Sequence, residues 1–377
     1  MYTCVYENVR SPSGGLFQNR STIVSHCKEL MMKTLAVVAT SLFLCVASAT
    51  VTAQTANRSS PQVEKIKARG ALLCPGHNGS NLGFAEVDDK GNWKGFDVDI
   101  CRAVAAAILG SPDKAKFLPL SWAQRWPSLN SGEIDLVVKT TDATMSRDTE
   151  LGYQFSIPYL YGAFQFMVPV KMNAKTAKDL NGGTICTSAG TNNARYVADF
   201  LKVNNIKAEV LTFEKREEQR AAYTQKRCDA DMNWGPTLAV TRASQPDAKE
   251  HVILPDVVAV APQVIIVKEG DDHFLDVINW VLEALLIAEE NGITRANVDQ
   301  IKAKPPNPSI EKLLGVTPGV GARLGLSDQW AYNTIKSMGN FGEIYDRNLG
   351  SQSPYKLDRG MNALWRDKGV FVPMLID

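Results

Sequence analysis

The chain predicts an α/β fold in two lobes, on three observations. Short apolar runs of strand length alternate with stretches of helix length from residue 71 onward, a pattern that makes a mainly parallel sheet flanked by helices. The alternation begins afresh after Tyr161. Once the leader described below is set aside, about 320 of the 377 residues remain, more than the ~250–300 that one hydrophobic core serves.

In the first lobe 71–74 is a strand, 96–109 an amphipathic helix, 116–120 a strand, 123–130 a helix ending at Ser131-Gly132, and 134–138 (I-D-L-V-V) an apolar strand. The second lobe runs through strands 164–168 and 184–187, helix 192–203, strand 208–213, helix 216–225 and strand 230–233. Strand 264–268 and helix 272–287 exceed what that lobe needs and are assigned back to the first. The expected boundaries are therefore 62–163 plus 261–289 for lobe one and 164–260 for lobe two. Crossovers near Ala163 and Val260 form a hinge, and the cleft between such lobes is where α/β folds bind ligands. Residues 290–377 are a C-terminal extension: P-P-N-P-S-I breaks the chain, and helices over 327–338 and 358–368 follow, with Trp330, Tyr332 and Trp365 as core-packing aromatics.

Residues 1–53 read as leader and signal peptide. Lys33 precedes a nearly uncharged run over 34–52 with small-x-small exits at Ala47-Ser48-Ala49 and Val51-Thr52-Ala53. The run is marginal for the ~20 residues that span a bilayer and lacks a basic stop, so it reads as cleavable. Translation is expected to start at Met31 or Met32, and Leu44 before Cys45 argues against a lipid anchor. The mature chain is expected to be exported and soluble.

With 41 Lys+Arg against 40 Asp+Glu, a formal charge of +1, the composition gives no support for nucleic-acid binding. Four cysteines, Cys74, Cys101, Cys186 and Cys228, remain after the leader. An even count in an exported protein points to two disulfides, expected as Cys74–Cys101 and Cys186–Cys228, although three connectivities and four free thiols are open. No C-x-x-C or Cys/His spacing suggests zinc.

The most informative stretch is 122–161. It reads as a binding site: strand 134–138 delivers the chain into a hydroxyl-rich loop closed by Arg147. A guanidinium offers paired donors to a planar carboxylate, and Thr140, Thr141 and Thr144 can satisfy its remaining lone pairs. The competing reading is a surface arginine beside a threonine loop.

G-F-D-V-D-I-C-R-A-V (95–104), S-G-E-I-D (131–135), T-M-S-R-D-T (144–149), K-R-C-D (226–229), V-I-L-P (252–255) and W-A-Y-N-T-I-K-S-M-G-N-F-G-E-I-Y-D-R-N (330–348) together resemble the periplasmic substrate-binding proteins of polar amino-acid ABC transporters. The likeness is to the general L-amino-acid-binding branch of solute-binding family 3, and it runs from about residue 62 to 377. It implies a type II two-lobe fold and a monomeric, non-enzymatic periplasmic receptor. That receptor, without a cofactor, captures a small polar carboxylate, an L-amino acid of the Glu/Gln/Asp/Asn type, for an inner-membrane permease.

Residue by residue, the resemblance implies that Arg147 clamps the ligand's α-carboxylate, with Thr140 beside it. Thr191, at the start of a helix, meets the same group; it is also an ordinary N-cap. Trp122 falls where basic-amino-acid binders pack an aromatic on the ligand, or is a core tryptophan. Arg125 matches a contact of acidic ligands, or lies on a surface helix. Asn78, after His77, stands where acidic-ligand relatives carry an arginine, which weakens any grip on a side-chain carboxylate.

Trp234 stands where the family places the aspartate that binds the α-ammonium. Three readings follow: the ammonium moves to Asp142, the indole offers a cation–π face at ~1–2 kcal/mol, or the ligand lacks an ammonium. Asp142 can instead pair with Arg147 and order the loop. Lys139, next to it, points to altered ligand chemistry. The alternatives are an enzyme of the cyclohexadienyl-dehydratase type, which needs a general acid or base in the cleft, a receptor for a non-amino-acid carboxylate, or a chemosensory receptor.

Overall fold

The computed structural model describes residues 59–377, and the predicted leader and signal segment lies outside them. Helix α1 (Pro61–Arg69) starts on Ser60, whose hydroxyl accepts the Val63 N–H. Strand β1 (Leu72–His77), hairpin β2 (Glu86–Val87) and β3 (Trp93–Lys94), helix α2 (Phe96–Leu109), strand β4 (Ala115–Leu120), and helices α3 (Arg125–Ser131) and α4 (Met145–Thr149) follow. Strand β5 (Tyr153–Pro169) leads to β6 (Thr184–Ser188), α5 (Asn193–Val203), β7 (Glu209–Phe213), α6 (Arg216–Thr224), β8 (Ala230–Trp234), α7 (Gly235–Ala243) and β9 (His251–Ile253). Strand β10 (Ala259–Lys268) returns into α8 (Asp272–Glu290). Then come α9 (Val298–Ala303), α10 (Pro308–Leu313), α11 (Trp330–Met338) and α12 (Phe341–Asn348).

β1 and β4 pair in parallel, and the apolar stretch 134–138 lies beside β1. That stretch is not the regular strand expected. Its only strand-like contacts among the described residues are the Asp135 N–H to the Leu73 carbonyl and a single bridge between Val137 and Ile266. The cause is Asp135, whose carboxylate accepts the Leu73 N–H at 2.8 Å and also binds Arg69, so a side chain replaces a rung of the ladder.

β5 and β10 are long antiparallel partners that run from Tyr153 opposite Lys268 to Phe164 opposite Ala259. Beyond Ala163, which faces Val260, β5 joins a second layer: Phe164–Met167 pair with β8, and β8, β6 and β7 continue in parallel. The β5/β10 pair thus belongs to the six-stranded sheet and meets the β1–β4 side only through the Val137–Ile266 bridge, the two-lobe arrangement in which a cleft forms between the layers. Disulfides staple Cys74 in β1 to Cys101 in α2, and Cys186 in β6 to Cys228 ahead of β8.

Three expectations need correction. α2 is buried on nearly every side rather than amphipathic, because the extension covers its outer face: Arg347 and Asn348 of α12 both bind Asp99, and Thr334 of α11 reaches the Ala103 carbonyl. Residues 358–368 form two isolated 3₁₀ turns, Gly360–Asn362 and Trp365–Asp367, instead of a helix, since Ala363 and Leu364 between them are extended and Leu364 bridges to Phe371. Trp330 is buried as expected, but Trp365 is 55% exposed and donates its indole N–H to Glu290.

Candidate functional site

A small polar cavity lies where β5 passes from β10 to β8, beside the loop that follows Val138. Trp122, Arg125, Thr140, Asp142, Thr191 and Trp234 line it; Arg147 and Asn78 do not. The wall also takes Asn81, Phe164, Ser188, Asn193, Arg216, Asn233, Thr237 and Gln263, which the sequence did not mark.

The loop after Val138 turns sharply at Thr140, whose φ of 34° is rare for a β-branched residue. Its N–H is held by the Asp97 carboxylate at 3.0 Å and by the Tyr159 hydroxyl at 3.2 Å, while Tyr159 donates to Asp97 at 2.9 Å. The Thr140 amide is therefore committed within the protein, and its hydroxyl accepts from Asn81. Burial drives the Asp97 carboxyl up to about 7, against the opposing pull of Tyr159, Lys139 and the Thr140 N–H.

Asp142 is equally committed. Its Oδ1 accepts from Arg147 at 2.7 Å, and Arg147 also binds the Asp142 carbonyl. Its Oδ2 accepts from the Tyr196 hydroxyl at 2.6 Å and from Asn192 at 3.0 Å, both on the opposite side of the cleft. Burial alone would raise its pKa, but Arg147 and the two cross-cleft donors outweigh it and hold the carboxyl below the usual range. The sequence had left two roles open for Asp142, and the geometry is that of the internal pair. The same cleft is crossed by Arg125 to the Gly190 carbonyl and by the Ser80 N–H to Glu217.

Arg125 is fully buried rather than on a surface helix. It binds the Trp122 carbonyl, lies 4.3 Å over the Trp126 ring, and forms no ion pair among the described residues. Burial and the neighbouring Arg147 pull its pKa down, and Asp142 opposes them. Trp122 carries His77 edge-on at 4.7 Å and the Lys139 ammonium at 4.8 Å, so one of its sides is filled by protein. Lys139 itself donates to the Gly76 carbonyl, and burial lowers its pKa as it does that of His77. Neither cation nor imidazole reaches the wall. Thr191 binds the Ser188 carbonyl and accepts the Asn193 N–H, the contacts of a local cap.

In the second lobe Arg216 meets Asp231 through two parallel bonds of 3.0 and 2.7 Å. Trp234 packs on Phe84 at 5.8 Å and lies against Gly162, where a Cβ would come within 2.5 Å of its indole nitrogen. Five wall residues keep a buried polar atom without a partner: Asn81 Oδ1, Gln263 Oε1, Arg125 Nε, Arg216 Nε and Trp234 Nε1. Buried polar groups are nearly always satisfied, so such a cluster marks a surface made to meet a polar ligand. No group of three or more His, Cys, Asp or Glu suited to a metal occurs among the described residues.

Two lobes threaded by one strand pair, closing on a polar cavity, define a solute-binding protein of the two-lobe, type II class. The chain belongs to the bacterial extracellular solute-binding proteins, family 3, which it matches over residues 75–292. It is similar to the general L-amino acid-binding periplasmic protein AapJ of Rhizobium johnstonii, at 42% identity over 83% of this chain and 92% of that protein. It is also similar to the glutamate/glutamine/aspartate/asparagine-binding protein BztA of Rhodobacter capsulatus, at 38% identity over 87% and 96% of the two chains. Among solved structures, a periplasmic binding protein from Brucella ovis with glutathione bound superposes with a TM-score of 0.81 and 41% identity, over 85% of this chain and all of that one.

Proposed function

We propose that the chain is a periplasmic receptor that closes on a small polar carboxylate, an L-amino acid of the Glu/Gln/Asp/Asn type, and presents it to an ABC permease. Residues 1–53 direct export, the lobes are 62–163 plus 261–289 and 164–260, and closure bends the strands at Ala163 and Val260. The protein acts as a monomer, and the carboxylate is received by the buried, unpaired Arg125 with help from Arg216. Arg147 orders Asp142 from behind. Asp142 in turn locks the lobes together rather than holding the ligand's nitrogen.

One observation carries this reading: the convergence of unpartnered polar atoms around Arg125, which forms no ion pair among the described residues. The relatives' names point the same way. Capture without turnover fits a wall whose one carboxylate, Asp142, has both oxygens engaged in holding the protein together. The Brucella ovis structure favours a second reading, a peptide carboxylate such as glutathione.

Isothermal titration calorimetry of refolded mature protein separates the two. Binding of Glu, Gln, Asp or Asn that Arg125→Gln weakens by ~100-fold supports the first reading, since ~3 kcal/mol is what a buried charge-assisted pair contributes. Glutathione bound in preference to every amino acid supports the second. Full affinity in Arg125→Gln sinks both assignments of the site.

A further inference from the structure

Building on the receptor reading, we propose that two neutral amide oxygens, Asn81 Oδ1 and Gln263 Oε1, receive the ligand's nitrogen where the family uses a carboxylate, and that the site is matched to a ligand of net charge −1. Both side chains are 1% exposed, both line the cavity, and in both the carbonyl oxygen has no partner. They flank the same loop. The Asn81 Nδ2 is turned to the Thr140 hydroxyl, which leaves Oδ1 on the other side of the amide, and Gln263 is bridged by its backbone to Asp142. The wall's carboxylate is already engaged, since Asp142 is filled by Arg147, Tyr196 and Asn192, and Trp234 offers a donor where the aspartate would be.

The remaining unpartnered atoms are donors, on Arg125, Arg216 and Trp234, and suit carboxylate oxygens. The charges on the wall then sum simply. Asp142 is paired with Arg147 and Arg216 with Asp231, and behind the wall Lys139 faces Asp97, so of the charged lining residues Arg125 alone lacks an opposite partner among the described residues. A ligand with two carboxylates and one ammonium neutralises it; a ligand with one of each does not. A buried charge without a counter-charge is costly, so the wall selects an acidic ligand over its amide.

The test is calorimetry with L-glutamate, L-glutamine and glutarate, which keeps the two carboxylates but has no nitrogen. Wild type is expected to bind glutamate at least ~10-fold tighter than either of the others, the scale of one or two buried hydrogen bonds. Asn81→Leu and Gln263→Leu should each weaken glutamate by ~10-fold and leave glutarate within ~3-fold. Gln263→Glu keeps the shape and makes the wall neutral, so it should turn the preference from glutamate toward glutamine. Equal losses for glutamate and glutarate in the leucine variants, or an unchanged glutamate-to-glutamine ratio in Gln263→Glu, would overturn the subsite while leaving the receptor standing. A wild type that binds none of the three overturns the subsite, and one that also binds neither aspartate, asparagine nor glutathione overturns the receptor reading with it.

Discussion

Asp142→Asn separates the latch from the pair behind it. The carboxylate accepts from Tyr196 at 2.6 Å and Asn192 at 3.0 Å across the cleft, and from Arg147 at 2.7 Å within its own loop. Hydrogen bonds to a charged group contribute ~1.5–3 kcal/mol and neutral ones ~0.5–1.5, so neutralising Asp142 takes about 1 kcal/mol from each cross-cleft bond. Closure of the ligand-free protein should then weaken by ~2 kcal/mol, a shift of ~30-fold toward the open form. Arg147, left buried without its carboxylate, should lower global stability by a further ~3–5 kcal/mol.

Small-angle scattering of the ligand-free protein reads the first effect as an increased radius of gyration, and urea unfolding reads the second. Tyr196→Phe is the control that removes one latch bond and spares the ion pair, so it should loosen closure with little change in the unfolding midpoint. The Asp142 carboxyl is held below its unfolded value near 3.9, so its contribution is complete above that value and is lost only as pH falls through the lower, folded one. Closure through this group should be flat between pH 5 and 8. An unchanged scattering profile in Asp142→Asn, with a loss of stability below ~1 kcal/mol, would refute the latch and the pair together.

Gly162→Ala places a methyl 2.5 Å from the Trp234 indole nitrogen and 2.8 Å from Pro236, and should cost ~1–3 kcal/mol of stability in thermal unfolding; an unchanged midpoint would show that the indole is free to move. Asp97 runs opposite to Asp142: burial raises its folded value to about 7, so its stabilisation is full below the unfolded value near 3.9 and is lost as pH rises through 7. Wild-type stability should therefore fall by ~2–3 kcal/mol between pH 5 and 7 and that slope should vanish in Asp97→Asn, whereas parallel curves would refute the assignment. Cys186→Ser should cost ~2–5 kcal/mol in non-reducing unfolding, because the bridge closes a 42-residue separation; a loss below ~1 would mean the bond is dispensable.

The layered pattern was readable because strand and helix periods are local, and β6 to β8 with their helices lie close to the expected runs. Stretch 134–138 failed as a regular strand for a reason no period reveals: Asp135 supplies a hydrogen bond that a backbone group would have made. The roundly buried α2 is likewise invisible locally, because its outer cover comes from residues more than 200 positions later. Asp142 pairing with Arg147 was legible as an i to i+5 juxtaposition of opposite charges in one loop. Asn81 and Gln263 were not, since a lone amide has no pattern and becomes informative only once burial leaves its oxygen unpartnered. Arg125 was placed by family resemblance, yet its burial between aromatic rings could be seen only in three dimensions.

The extension binds β5 beside the proposed bending point as well as covering the core. Tyr161 pairs with Pro262 on its β10 side, and β8 begins to pair only at Phe164, so the other edge of β5 has no strand beside it at Tyr161. Asn362 takes the place of the absent strand: its Oδ1 accepts the Tyr161 N–H at 2.7 Å, its Nδ2 donates to the Tyr161 carbonyl at 3.1 Å, and Phe371 packs on the Tyr161 ring. The next residue is Gly162, covered by the cavity-lining Trp234. Extension and ligand wall thus grip adjacent residues of one hinge strand, and any energy stored in its bending is felt by both. Asn362→Ala leaves two backbone groups without their partner, worth ~1–3 kcal/mol, and touches nothing in the cavity. If the brace sets the hinge, that variant should change ligand affinity by several-fold through the closing equilibrium and speed amide exchange at Tyr161. Faster exchange with an unaltered affinity would instead confine the extension to stability.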